Sequence, residues 1–273
     1  MHRRTTIGTT PPRVIKVFAV LWLLFSVSGA MAEDQPAKPI SSPEREAFLM
    51  GIRKDCRGCD LRGVRLKRRD LSGADLTGAD LTGAVLHRAK LGKAMLDGAK
   101  LQDANLNKAD LRHASLKGAD LTGALLYGTD LSAAQLEGAV MAQAHMAHSR
   151  LTQAMLRGVD LSHSMVTDAE MAGTNLSHAN LKQSNLNGAN LSRCDLSSAV
   201  VDGAGFIRAR IRDADLKGVL ARQADFYEAD LSGSDLTNGD FRGSRLQQAL
   251  LDNAVTNGVK MKGALLVDGT IGQ

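Results

Sequence analysis

The chain has 273 residues, of which 44% are hydrophobic and only 3% aromatic, so it can build a large core but hardly one of packed rings. Its 34 Lys and Arg against 29 Asp and Glu suggest a basic protein, yet four of those bases and none of the acids lie in residues 1–32. The remainder is close to neutral at 30 against 29, which removes the charge argument for nucleic-acid binding.

Residues 1–32 read as a secretory signal peptide. Arg3, Arg4, Arg13 and Lys16 lead into an apolar run from Val17 to Val27, and Ala30-Met31-Ala32 has the small–x–small cleavage pattern. The run is short for a membrane span; an uncleaved N-terminal anchor is the alternative reading. The expected location is therefore the periplasm or the exterior of a bacterial cell, with no stable membrane span after cleavage. Residues 33–42 form a polar, Pro-containing linker. Ser42-Pro43-Glu44 then has the chemistry of a helix start, with Ser at the cap and Pro in the first turn. Phe48, Leu49 and Ile52 fall on one stripe, so residues 43–55 are expected as a short helix that caps the long repetitive segment beginning near residue 56.

From Leu61 to Ile271 every fifth residue is apolar across 43 consecutive positions, with only Ala221 and Thr256 short of a sizeable side chain. Two residues before each, at i−2, stands a small residue, usually Ala; Arg69 is the clear exception. No helix uses this pattern, because successive leucines would drift around its axis. No long strand uses it either, since five is odd and each Leu would change face. A short extended segment pointing i−2 and i inward, followed by a turn, satisfies it and winds the chain into a solenoid. Charges suggest how many repeats close a coil. Seven Lys or Arg stand at i−1, and the residues twenty away from them include nine acids, as in Asp130–Arg150–Glu170. At spacings of 15 and 25 that number falls to five and three, which favours four sides.

The repeating Ala-(Asp/Asn)-Leu-(Ser/Thr)-Gly, as in Ala74-Asp75-Leu76-Thr77-Gly78, resembles the pentapeptide-repeat family over about four-fifths of the chain. The resemblance implies an all-β fold, a right-handed quadrilateral β-helix over residues 56–273, here with a short N-terminal capping helix. It also raises a function, since some members mimic duplex DNA and bind or protect DNA gyrase. Those are strongly acidic cytoplasmic rods, and this chain has a near-neutral mature charge and an export signal.

Cys56 falls on an i position and Cys59 on the next i−2, so both point inward if the coil has begun there. In an exported protein they are expected to form a short structural disulfide, with reduced core thiols as the alternative. Cys194 takes an i−2 position and belongs to the core. No nucleophile elbow, phosphate loop or zinc motif is present, and a filled rod has no pocket, so neither an enzyme nor a cofactor is expected. His145, His148 and Met165 share a side, which raises copper, but no carboxylate shell supports them.

One side, carrying Leu66, Leu86, Leu106 and Leu126 inside, holds eight of the fifteen large apolar residues at outward positions. Val85, Leu125, Tyr127, Met165, Ile207 and Tyr227 mark it as the candidate interaction face for an unknown protein partner. It opens with Arg65, Lys67, Arg68, Arg88 and Lys108, expected as a solvated end, with an acidic partner or anionic lipid as alternatives. Leu250, Val255, Leu265 and Val267 point outward on the last coils, where no second cap is found, and suggest a C-terminal homodimer. The sequence thus reads as a non-enzymatic exported scaffold or protein-interaction module. Gyrase-directed DNA mimicry is the disfavoured alternative, and no nucleic-acid partner is expected.

Overall fold

Each pentapeptide turns one corner. The carbonyl of residue i accepts the N–H of residue i+3, as between Leu76 and Ala79 at 3.0 Å or Leu101 and Ala104 at 3.0 Å. Residue i+2 is left-handed, with φ 64° at Gly78 and 57° at Arg88. A positive φ at the second central residue is the signature of a type II turn, which is why Gly is frequent there. Between corners, residues i−2 to i are extended and pair in parallel with those twenty residues away, as in Asp75↔Met95 and Asp80↔Lys100. Met95, for example, donates to the Ala74 carbonyl at 2.9 Å while Leu76 donates to the Met95 carbonyl at 2.8 Å. The twenty-residue parallel register runs unbroken from Asp60 to Leu265. This is the four-sided β-helix that the charge spacing favours. The structure is a computed structural model and describes residues 42–273; the expected signal peptide and all but the last residue of the expected linker lie outside the described residues.

The consensus letters have physical reasons. Leu at i and Ala at i−2 fill the interior; from Leu61 to Leu246 every i residue is buried, each large side chain contributing about 1.5–3 kcal/mol. Where Ser or Thr replaces Ala, the hydroxyl commonly donates to a neighbouring carbonyl, as Ser164 does to Leu161 at 2.6 Å and Thr129 to Leu106 at 2.8 Å, so burial leaves it satisfied; the Ser149 hydroxyl is the exception, buried with no partner among the described residues. Asp at i−1 accepts the N–H and hydroxyl of Thr or Ser at i+1, as in Asp80–Thr82 at 3.1 and 2.6 Å. It thereby braces the corner as an Asx turn. At Asp60 the partner is Arg62, whose guanidinium makes two hydrogen bonds of 2.9 and 2.6 Å. That side-chain contact, helped by the Arg62 backbone N–H, holds the carboxyl down at about 2. The aspartates therefore hold turns.

Ala221 is explained by its neighbours. Phe241 occupies the same column one coil on, and Phe206, Phe226 and Phe241 form a run of rings with centroids 4.8 and 5.5 Å apart. The i−2 residue beside Phe241 is Gly239, where a Cβ would lie 2.7 Å from the ring. A small residue above and a glycine alongside make room for one large ring.

The N-terminal cap is α1, Pro43–Met50, with Ser42 accepting the Arg45 N–H at 3.2 Å. It stops short of the expected 43–55 because Gly51 turns left-handed at φ 80°. Ile52 consequently leaves the apolar stripe and is exposed, while Phe48 is fully buried. Arg69, the exception in the small-residue column, reaches out of the top of the coil. Its guanidinium donates to the carbonyls of Leu49, at 2.8 Å, and Phe48, and lies over the Phe48 ring at 5.1 Å. A cation at a helix C-terminus satisfies carbonyls that have no partner within the helix. Cys56 and Cys59 are both buried and joined by a disulfide, with Cα atoms 5.3 Å apart. The first coil begins here, since the Cys56 N–H already donates to Asp75 at 2.8 Å.

The C-terminus differs from the unbroken frame expected over 56–273. Asp268 accepts from the N–H and hydroxyl of Thr270 at 2.9 and 2.7 Å, Gly269 turns left-handed at φ 85°, and the chain doubles back. Ile271 then pairs antiparallel with Leu265 instead of taking the next inward position. Turn chemistry overrides the five-residue frame at its last step, and the end expected to be open is covered on one side.

Replacing Arg69 with Ala is expected to free α1 while sparing the coils. Amide exchange at Gly51 and Ile52 should accelerate roughly tenfold or more, in line with about 1.5–3 kcal/mol for a hydrogen bond to a charged group. Amides beyond Leu81 should keep their protection.

Candidate interaction face

Outward residues of successive coils lie in straight rows, because i−1 of one coil bridges i−1 of the next. One row reads Arg65, Val85, Asn105, Leu125, His145, Met165, Asn185, Gly205, Asp225, Arg245 and Leu265. Positions i+1 and i+2 form its flanks. The six residues marked in the sequence do lie on this side, but they are not alike. Leu125, Tyr127 and Met165 are 37%, 46% and 44% exposed, whereas Val85, Ile207 and Tyr227 are half-buried. Tyr227 lies under the Arg245 guanidinium, 4.4 Å from its ring centroid. Arg245 pairs with Asp225 at 3.0 Å, and the adjoining Glu228 with Arg208 at 2.5 Å. The lower half of the side is closed by its own ion pairs, and the free apolar anchors contract to three.

Exposure also weakens the contrast with the other sides. Met95, Val140 and Met155 are as open as Leu125. What sets Leu125, Tyr127 and Met165 apart is grouping. His145 stands between Leu125 and Met165 in the row, and Tyr127 meets the His148 ring edge-on at 5.4 Å with the Lys108 ammonium 5.9 Å above its ring. Asn107 Oδ1 accepts the Tyr127 N–H at 2.8 Å and steadies its backbone. The sequence places His145, His148 and Lys108 on this side without assigning them this supporting role, and it does not single out Asn107.

Other features offer less for chemistry. Shallow depressions between coils, lined by Gln153, Arg193, Arg212 and Asp213 or by Asp202, Arg222 and Arg242, lie on different sides. Among the described residues no three His, Cys, Asp or Glu side chains converge on a metal-sized site. Cys194 is buried, and burial pushes its thiol well above the ordinary range, leaving it protonated.

At the C-terminal end, Leu250, Val255 and Val267 are exposed, while Leu265 is half-covered by the returning tail. The inward residues Leu251, Ala254, Val259 and Met261 are only partly buried because no coil lies beyond them. The N–H groups of Leu251, Asn253, Thr256, Gly258 and Met261 have no acceptor among the described residues, unlike their equivalents one coil earlier. This end is an apolar sheet edge with three sides open.

Comparison with known proteins agrees with this geometry. The family described as pentapeptide repeats (8 copies) matches the chain over residues 59–94, 94–132, 134–173, 174–213, 204–243 and 229–266. The chain belongs to the pentapeptide-repeat family. Among solved structures it is similar to HetL, a pentapeptide repeat protein involved in heterocyst differentiation regulation from the cyanobacterium Nostoc sp. strain PCC 7120. That likeness has 29% identity and a TM-score of 0.64, over 84% of this chain and 97% of HetL. Weaker likenesses are to QnrB1, a plasmid-mediated fluoroquinolone resistance protein, and to alr5209, a pentapeptide repeat protein from Nostoc. QnrB1 is 16% identical with a TM-score of 0.33, over 52% of this chain and 84% of that one. For alr5209 the values are 26% and 0.25, over 42% and 83%. No curated protein sequence matches this pentapeptide-repeat protein.

Proposed function

We propose that this pentapeptide-repeat protein is an exported, non-enzymatic interaction scaffold that binds a protein partner through Leu125, Tyr127 and Met165. The observation that carries the reading is the cluster itself: three exposed apolar side chains on one flat side, held in fixed rows by parallel bridges and braced by Lys108, Asn107 and His148. Preorganised aromatic and apolar anchors are what a protein interface needs at its centre. Export is supported by the basic start, apolar run and Ala30-Met31-Ala32 of the N-terminal sequence. The Cys56–Cys59 disulfide suits an oxidising compartment. DNA mimicry has the wrong sign here, since the N-terminal part of the same side is basic.

The open end supports a second contact. A second copy of the chain, set end to end, would cover Leu251, Val259 and Met261 and offer acceptors to the unpaired amides, with Leu250 and Val255 at its rim.

Quantitative capture of partners from a periplasmic extract should lose the same set of proteins with Leu125→Asp as with Tyr127→Asp. Met155→Asp, an equally apolar and exposed site on another side, should keep them; unchanged capture by Tyr127→Asp would refute the face. For the end contact, light scattering should show a dimer that dissociates with Val259→Lys, and a strict monomer at high concentration would sink it.

A further inference from the structure

The N-terminal half of the same side carries a charge pattern of which the partner reading uses only Lys108 and His148. Its outward positions from residue 65 to residue 148 hold Arg65, Lys67, Arg68, Arg88 and Lys108, with His87, His145 and His148, and not one Asp or Glu. The first acid on this side is Asp168. All five Lys and Arg are exposed, and none has an ion-pair partner among the described residues. The other three sides mix both signs over the same coils, and two of them pair some of these charges, as in Asp60–Arg62, Asp110–Arg112 and Asp130–Arg150. The lower half of this side pairs its charges too, through Arg208–Glu228 and Arg245–Asp225. Five unpaired cations on a side that carries no acid over these coils form a distinct surface. His87 reports the field: partial burial comes first and the cations Arg88, Lys67, Lys108 and Arg68 add to it, and together they hold its imidazole below the usual value.

Shape narrows the occupant. The strip spans five coils of a parallel sheet, about 20 Å long at roughly 4.8 Å per coil, and the depressions lined by Arg193 and Arg222 lie on other sides. A single-sign plane of flexible Lys and Arg heads suits a diffuse anionic plane. The strip also begins at the first coils, the end of the rod nearest in sequence to the apolar run Val17–Val27.

We propose that this basic strip docks the rod, side-on, against the anionic phospholipid headgroups of a membrane surface. The contact is peripheral and electrostatic, it needs no spanning segment, and it stands apart from the partner reading because it uses Arg65, Arg68 and Arg88 rather than Tyr127. It orients the molecule with its N-terminal coils on the membrane and leaves the C-terminal coils clear.

The test is co-sedimentation of the full chain with vesicles of phosphatidylcholine mixed with phosphatidylglycerol and of phosphatidylcholine alone. Binding should be confined to the mixed vesicles and should be lost at high salt, where exposed charges are screened. The triple variant Arg65→Glu, Arg68→Glu, Arg88→Glu should weaken it roughly a hundredfold, with an unchanged melting curve. Should that variant fold poorly, Arg65→Gln with Arg68→Gln and Arg88→Gln gives the same comparison without added acids. Tyr127→Asp, which disables the partner face, should weaken vesicle binding by less than about tenfold, so the two readings fail separately. Equal retention on neutral vesicles, as the apolar N-terminal run alone would cause, overturns the proposal. So does salt-insensitive binding, an unchanged charge variant, or no binding to either vesicle.

Discussion

Every other feature of this molecule depends on a corner that recurs every five residues and closes a coil every twenty. The corner requires a left-handed residue at i+2, and 23 such residues are not glycine, each costing about 1–2 kcal/mol of backbone strain. Local preference alone would not hold those residues there. The parallel register does, because each corner is tied to the extended segments beside it, and those are bonded to the coils above and below. The inward Leu and Ala columns supply the driving force, and the Asp–Thr and Asp–Ser contacts brace the turn from outside. The pentapeptide consensus is the set of residues that satisfies these demands together.

Once the register is fixed, the surface becomes a lattice. A residue at i−1 always lies beside those twenty positions away, so charges and apolar groups scattered along the sequence assemble into rows. The rows around Leu125, Tyr127 and Met165, and the cations from Arg65 to Lys108, exist because no repeat is inserted or lost between them. The departures from repeat chemistry are found on the flat sides and at the two ends. Arg69 serves the N-terminal end, where it ties α1 to the coil, and Asp268 and Gly269 serve the C-terminal end, where they fold the tail back.

The period, the inward place of Cys56, Cys59 and Cys194 and the outward place of the aspartates are legible in the sequence because each depends on spacing alone, and the four sides are legible in the opposite charges that recur twenty residues apart. Arg69 is visible there as an exception, but its role is not. Its acceptors are helix carbonyls that exist only after Gly51 ends α1. Spacing locates the apolar side correctly and overstates its extent, since exposure depends on how long side chains lie. Arg245 covers Tyr227 by bending over it, and positions in a repeat do not record that. Ile271 fits the frame in sequence and leaves it in space because a local Asx turn at Asp268 outweighs one more inward apolar residue with no coil beneath it.

The twenty-residue register is tested most directly by comparing the thermal unfolding of two deletions in the same region, one of a whole coil, residues 181–200, and one of Asn190 alone. Removing the coil rejoins every column and should leave a cooperative transition slightly below that of the parent, since only one layer of neighbour contacts is lost. Removing one residue puts every later Leu out of its column and should abolish the cooperative transition or lower it far more. If the single deletion is tolerated as well as the coil deletion, the register does not govern this fold and the account is wrong.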